Sequence, residues 1–258
     1  MSCGPSPEEQ AGERLDEAMK LRDSGQLNMA RMKLDTVIEQ YGDLTEQVAD
    51  AKRLLNGINL IEQKRSLEYL DSMITEKEAE LEPLLDNFIT SDEYGSETIY
   101  IHRRQRPENS YHRTFIRAHL DASGDFYISS RYHGKNWLRH NQIRVYNAGK
   151  SVKSEEISED SFNNRRFEDG KDKFEIVRYK EGADNGIVDF IASNVEKSLK
   201  VEYIGDKHYF IVMEQFDKEA IRDAYETSFV LQELDGLKKE KRSVEEQIRK
   251  LERREEKF

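Results

Sequence analysis

One cysteine, Cys3, stands in the 258 residues of this chain. An intramolecular disulfide is therefore excluded. So is a zinc site built on several thiolates. No stretch approaches the roughly 20 apolar residues that a bilayer-spanning helix needs. Hydrophobic residues make up only 36% of the chain, matched by 36% charged residues. That is thin for one compact globule and suits long solvated helices, of which only a narrow stripe is buried. Proline is scarce, at four, whereas Tyr and Phe number 12 and 11. General disorder does not fit so many aromatics. The formal net charge of −11 disfavours nucleic acid as a partner and leaves protein and sugar partners open. The length suits one large domain or two smaller ones.

The motifs of common catalysts are also missing. There is no Gly-x-Ser-x-Gly elbow, phosphate loop, His-Glu-x-x-His or dinucleotide fingerprint. Cys3 sits in a tail, which does not suit a nucleophile. The abundant carboxylates lie mostly on helical stretches, where they read as solvated faces. No enzyme and no cofactor is expected.

What is present begins with helical spacing. Residues 8–41 read as two helices broken at Asp23-Ser24-Gly25-Gln26. Ala30, Leu34, Val37 and Ile38 line the second, and Gly42-Asp43 closes it. Gly25, Ala30, Leu34, Val37 and the turn at Gly42 resemble one tetratricopeptide repeat. The closing Pro of that repeat is Gly42 here, and its early Trp and Tyr positions are not evident. One repeat with a following helix (44–56) reads as a local packing unit and not as a peptide groove.

The strongest periodicity follows. Leu60, Leu67, Ile74, Leu81 and Phe88 are seven apart, with Gln63, Leu70, Lys77 and Leu84 offset by three. Thr227, Leu234, Lys241 and Ile248 alternate with Val230, Leu237, Val244 and Leu251 in the same way. These are heptad seams. An antiparallel pairing within the chain sets Leu60 near Leu251, Leu67 near Val244, Ile74 near Leu237 and Leu81 near Val230. A homodimer through the C-terminal helix satisfies the heptads as well. Lys77 and Lys241 are seam positions whose stems can lie on apolar surface with the amine in water. Pro83 is expected to kink or restart the first helix.

Between the arms the period changes to alternation. Strands are expected at 98–103, 113–120, 126–132, 138–147, 173–179, 186–192, 199–204 and 208–213, separated by Gly, Asn and Asp turns. The span 150–171 fits no element clearly. Closely spaced strands without helices between them imply a mostly antiparallel sandwich or barrel-like sheet.

Within this domain the charge is uneven. Residues 97–150 hold ten Lys and Arg against four acids, formally +6, and five of the six histidines: His102, His112, His119, His133 and His140. The rest of the chain carries −17. Arg103, Arg104, Arg113, Arg117, Arg131, His133, Lys135 and Arg139 are the candidates for an anion-binding face, Arg being suited to bidentate carboxylate or sulfate contacts. An ordinary exposed basic face with surface histidines is the simpler reading of the same residues. No two histidines have the close spacing of a helix or strand metal motif, so no metal site is expected. Tyr127, Tyr132, Trp137 and Tyr146 could stack sugar rings or fill the core. Of these, Tyr132 and Trp137 are the candidate aromatic contacts.

The opening Met1-Ser2-Cys3-Gly4-Pro5-Ser6-Pro7 resembles a bacterial lipoprotein processing site: a small residue before the only cysteine, then a short Pro/Ser/Glu tether. The resemblance implies lipidation at Cys3, hence anchoring without spanning. The charged and apolar regions of a signal peptide do not precede Cys3 in this sequence. Together with the helical start, the heptad arms and the stretch Tyr127-Ile128-Ser129-Ser130-Arg131-Tyr132-His133-Gly134-Lys135-Asn136-Trp137-Leu138, it resembles uncharacterised cell-envelope lipoproteins of gut Bacteroidota. That resemblance implies location and architecture, and no site residues.

The reading is an α+β chain. It has a flexible tether (1–10), a helical segment like one tetratricopeptide repeat (11–56), an antiparallel coiled-coil stalk (57–90 with 217–258) and an inserted β domain (95–215). Its expected role is a non-enzymatic, lipid-anchored envelope module for binding or assembly. The expected partner is an envelope protein or an acidic glycan, with the membrane met through the lipid alone. Glycan capture and a cytoplasmic coiled-coil scaffold are the alternatives.

Overall fold

The structure, a computed structural model, describes residues 5–91, 98–160 and 162–256. Cys3 and the start of the expected tether lie outside them. The chain divides into two units, Met1–Thr75 with Leu237–Phe258, and Glu76–Gly236. It is α+β, with two long helices and two antiparallel sheets.

In the first unit, α1 (Pro7–Asp23) starts inside the expected tether. The cause is a capping box. Ser6 Oγ accepts from the Glu9 N–H at 3.2 Å, and the Ser6 N–H donates to Glu9 Oε2 at 2.7 Å. Pro7 at the first helical position needs no partner for a missing donor. Ser24, Gly25 and Gln26 turn the chain into α2 (Leu27–Gln40), with Gly25 at φ +80°. Ala11, Leu15, Ala18, Ala30, Leu34 and Val37 form a core with Ala51 and Ile58 of α3 (Thr45–Leu85). The expected short helix and the first stalk arm are one 41-residue helix. Asn56-Gly57 reads as a boundary, but buried Ala51 and Ile58 flank it and hold the helix through it.

The last helix, α6 (Gln215–Glu255), runs antiparallel to α3 in this unit. Leu70, Val244 and Ile248 form a buried cluster, joined by Leu60, Leu67 and Leu237. Asn56 donates to the Leu251 carbonyl at 3.0 Å, and Lys241 pairs with Asp71 at 2.6 Å.

In the second unit α3 ends at Leu85, two residues past Pro83. Phe88 is therefore not on a helical seam. It opens β1 (Phe88–Ser91), and its ring meets those of Tyr100 and His102 edge-on. The six-stranded sheet has the order β1-β2-β3-β4-β8-β7. Its other strands are β2 (Ile99–His102), β3 (Phe115–Asp121), β4 (Phe126–Gly134), β7 (Asn164–Asp169) and β8 (Asp172–Tyr179). The four-stranded sheet has the order β10-β9-β5-β6. It contains β5 (Gln142–Asn147), β6 (Lys150–Lys153), β9 (Lys200–Ile204) and β10 (Tyr209–Val212). Among the described residues both sheets are open, so no barrel closes.

Two expectations change. Residues 186–192 are not a strand but a short helix, α5 (Ile187–Ala192), placed here after the one-turn α4 (Pro107–Ser110). Its β-branched run reads as a strand. However, Ile187, Val188 and Ile191 are buried at helical spacing, and the Asp184 carboxylate accepts the Val188 N–H at 3.2 Å. The span 150–171, which fits no element clearly in the sequence, holds β6 and β7.

The β3–β4 turn is pressed against α6. Gly124 has φ +84°, and a Cβ there would lie 2.7 Å from the Ser228 carbonyl oxygen and 2.8 Å from the Gln232 nitrogen. Only glycine permits this approach.

Candidate functional site

Alternation decides which way the charges of the larger sheet point. Ile116, Ala118, Leu120, Ile128, Val177 and Tyr179 face inward and are buried. Their neighbours face outward. Cross-strand register sets Arg117 beside Ser129 and Ser129 beside Arg178. It also sets Arg131 beside Ile176 and Ile176 beside Arg165. Cations from four strands thus share one face.

A hollow of about 300 Å³ on this face is lined by Tyr127, Phe162, Arg165, Arg178 and Lys180. Three cations and two aromatic rings line it, and among the described residues no carboxylate does. Lys180 Nζ lies 4.4 Å from the centre of the Tyr127 ring. His119 stacks on Tyr127 with ring centres 4.5 Å apart and planes 5° from parallel. His119 Nε2 also meets Ser129 Oγ at 2.8 Å. Burial, with Arg117, Arg178, Arg131 and Lys180 around it, holds His119 well below the usual histidine range. The imidazole therefore stays neutral, and its shift records a positive field. Phe162 is 68% exposed, unusual for a large apolar ring. Arg178 donates to the Phe162 carbonyl and so fixes this segment over the sheet.

Of the residues expected to form an anion face, Arg117 and Arg131 share this sheet face but do not line the hollow. His133 shares their strand face but is engaged with Asp172 at 3.1 Å, as is Lys135. Arg103 Nε donates to the Asp86 carbonyl at 2.7 Å, and Arg104 is exposed in the turn 103–105. Arg113 lies between the rings of Phe115 and Phe216, each 4.7 Å away, and pairs with buried Asp217. Arg139 pairs with Asp206 at 3.6 Å. The expected face is dispersed because those residues come from turns as well as strands. Arg165, Arg178 and Lys180 lie past residue 150, outside the basic segment 97–150. The outward positions of β7 and β8 were the signal for them.

The aromatic expectation is corrected too. Tyr132 is 5% exposed; its hydroxyl donates to the Asn136 carbonyl at 3.0 Å and its ring packs edge-on against Tyr209. It belongs to the core. Trp137 is half-buried, with Lys173 Nζ 5.3 Å from its ring centre. Tyr132 and Trp137 do not make an exposed coplanar pair. Tyr127 is the aromatic that reaches the basic hollow.

A second polar constellation lies inside. Ser130 Oγ is 2.8 Å from His140 Nε2, and His140 Nδ1 is 2.6 Å from Glu175 Oε2. These are the atoms of a nucleophile, a base and an orienting acid. All three residues are 0% exposed, so no substrate reaches the hydroxyl. The carboxylate acts as a clasp. It accepts three successive backbone N–H bonds, from Leu138 at 2.7 Å, Arg139 at 2.8 Å and His140 at 2.9 Å. Burial opposes ionisation of Glu175, but the His140 side chain, with the backbone N–H groups of Arg139 and His140, outweighs it and holds the carboxyl below its usual range. Burial also keeps His140 below the usual histidine range, so it is neutral and donates through Nδ1. This clasp delays β5, expected from 138, until Gln142.

Where no metal motif was expected, the rings of His112 and His133 and the Asp172 carboxylate bring ligand atoms within 4.8 Å of one another. No known protein family, curated protein or solved structure matches the chain.

Proposed function

We propose that this chain is a non-catalytic binding module whose larger sheet takes an acidic ligand on its outer face. The observation that carries the reading is the hollow lined by Arg165, Arg178 and Lys180, with no carboxylate among the described residues that line it. Convergent cations in a concave surface raise the local concentration of anions, and arginines grip carboxylate or sulfate in paired bonds. Tyr127 and Phe162 add flat apolar surface beside the charges, which favours an acidic glycan over an acidic protein segment. The burial of the Ser130–His140–Glu175 network supports the non-catalytic part.

The wider reading is a cell-envelope lipoprotein anchored through Cys3. Its support is the Ser2-Cys3-Gly4 opening and the resemblance of the chain to Bacteroidota envelope lipoproteins. In this reading α3 and α6 pair as an antiparallel coiled coil, and the two sheets pack as a sandwich. The edge-on contact of Tyr132 in one sheet with Tyr209 in the other, 5.3 Å between ring centres, supports the sandwich.

The test is calorimetric titration with a uronic-acid oligosaccharide and its neutral counterpart, using the native chain and the Arg165→Glu/Lys180→Glu variant. Preference for the acidic sugar, lost at least tenfold in the variant and weakened by salt, is the expected result. Equal binding of the two sugars, or an unaffected variant, would sink the ligand reading. The mass of the N-terminal peptide from source-cell membranes tests the anchor: acyl chains on Cys3 support it, and an unmodified peptide beginning at Met1 or Ser2 removes it.

A further inference from the structure

We propose that His112, His133 and Asp172 form a binding site for a divalent transition-metal ion of the zinc class. The three come from separate elements. His112 follows α4, His133 lies near the end of β4, and Asp172 opens β8. Antiparallel pairing of His133 with Phe174 and of Gly134 with Lys173 delivers Asp172 to the imidazole of His133. The two histidine rings stand 5.0 Å apart at 64°, and Phe174 packs against both. Phe174 lies closer to His133, at 4.9 Å, than to His112, at 6.2 Å, so His133 is the more firmly held ring.

The donor atoms are unusually unsettled for their position. His133 Nε2 is shielded from solvent and makes no directed hydrogen bond. It lies 3.1 Å from Asp172 Oδ2 all the same, in a geometry out of line for a hydrogen bond. The other carboxylate oxygen, Oδ1, is held by Lys135. Lys135 thereby orients the carboxylate and leaves Oδ2 for an ion. The backbone of His133 is fixed on both sides by Thr114, whose Oγ1 accepts its N–H at 3.0 Å and donates to its carbonyl at 3.2 Å. Positioning bonds around the ligands are what a metal site requires.

Two imidazoles and one carboxylate suit zinc, with a fourth position open to water or a ligand. Magnesium and calcium prefer oxygen donors throughout. Bonds of about 2.0–2.2 Å to one ion place its ligand atoms roughly 3.3–3.5 Å apart. The present spread of 4.8 Å closes by rotation of His112, the exposed member. The remaining histidines are engaged elsewhere: His102 with Asp223, His119 with Ser129, His140 with Glu175 and His208 with Glu202. The site does not depend on the anion-binding reading, whose variants leave it untouched.

The experiment is calorimetric titration of the tag-free chain with zinc sulfate, beside His112→Ala, Asp172→Asn and Cys3→Ser. The expected result is one saturable equivalent, weakened about tenfold or more in the first two variants and unchanged in the third. Zinc should also raise the thermal midpoint of the native chain, reversibly with EDTA. His112 is exposed, so its variant folds, and circular dichroism verifies this. Absence of a saturable equivalent, equal binding by His112→Ala, or loss of binding in Cys3→Ser would overturn the proposal.

Discussion

Glu175 holds His140 twice, through the backbone N–H at 2.9 Å and through Nδ1 at 2.6 Å. The same carboxylate also takes the N–H groups of Leu138 and Arg139, and Arg139 sits at φ +53°. A non-glycine residue in that region persists only where its surroundings determine it. Glu175→Gln replaces one acceptor oxygen by a donor and removes the charge. It is expected to cost about 1.5–3 kcal/mol, the worth of hydrogen bonds to a charged acceptor, read as a drop in the urea midpoint. A loss below about 1 kcal/mol would mean that the clasp is idle.

Two histidines, one in this interior and one on the outer sheet face, set a pH dependence. His119 and His140 are both held below the ordinary histidine value of about 6.5. The unfolded chain then binds more protons than the folded one just below that value. Stability must therefore rise with pH there, and fall on acidification from about 6.5. Glu175, with its lowered pKa, adds a further loss below about 4.3, where the unfolded carboxyl begins to take up a proton. Urea titrations between pH 7.5 and 5 should show this slope, with a shallower one for His140→Asn relative to its own pH 7.5 value. A flat profile would contradict both histidine assignments.

Gly124 and Gly170 separate two costs of replacing a glycine. Gly170 has φ +60° with nothing near its missing Cβ, whereas Gly124 has φ +84° and backbone of α6 within 2.8 Å. Gly170→Ala should cost about 1 kcal/mol, the conformational part alone. Gly124→Ala should exceed it by roughly 1–3 kcal/mol of overpacking. Equal losses by chemical denaturation would show that the turn can lift from the helix.

Lys77 tests the seam between the long helices. Its amine meets Glu233 at 2.6 Å and Glu80 at 2.8 Å, and these two contacts raise its pKa. Surface ion pairs contribute little. Lys77→Leu should therefore raise the thermal midpoint by a few degrees, if its stem already lies on apolar surface. A lower midpoint would assign the pairing to the charges instead.

How far the sequence spoke depended on whether a signal was local. Alternation in 115–121 and 126–134 is local, and the strands lie there. Heptads in 60–81 and 230–251 are local as well, and Leu67 and Val244 share a cluster. Residues 187–192 misled because a β-branched run suits a strand equally well until burial selects one spacing. Phe88 misled because a seven-residue interval continued by coincidence past Pro83. The basic sheet face was half legible: Arg117 and Arg131 stand in the segment rich in cations, but the hollow itself is lined by Arg165, Arg178 and Lys180, which join that face only through the β4–β8 and β8–β7 pairings. The His112, His133 and Asp172 group was invisible, since its shortest interval is 21 residues and register alone unites it.

Those pairings have a kinetic and mechanical side. β4 and β8 are partners in the middle of the larger sheet, yet the chain between them carries β5 and β6, which belong to the other sheet. Neither sheet is a continuous stretch of polypeptide. No cut or truncation can remove one and leave the other whole. Such high contact order slows folding, because distant segments must meet before either sheet closes. It also binds the two sheets into one cooperative unit of opening, so hydrogen exchange in their central strands should follow a single global free energy.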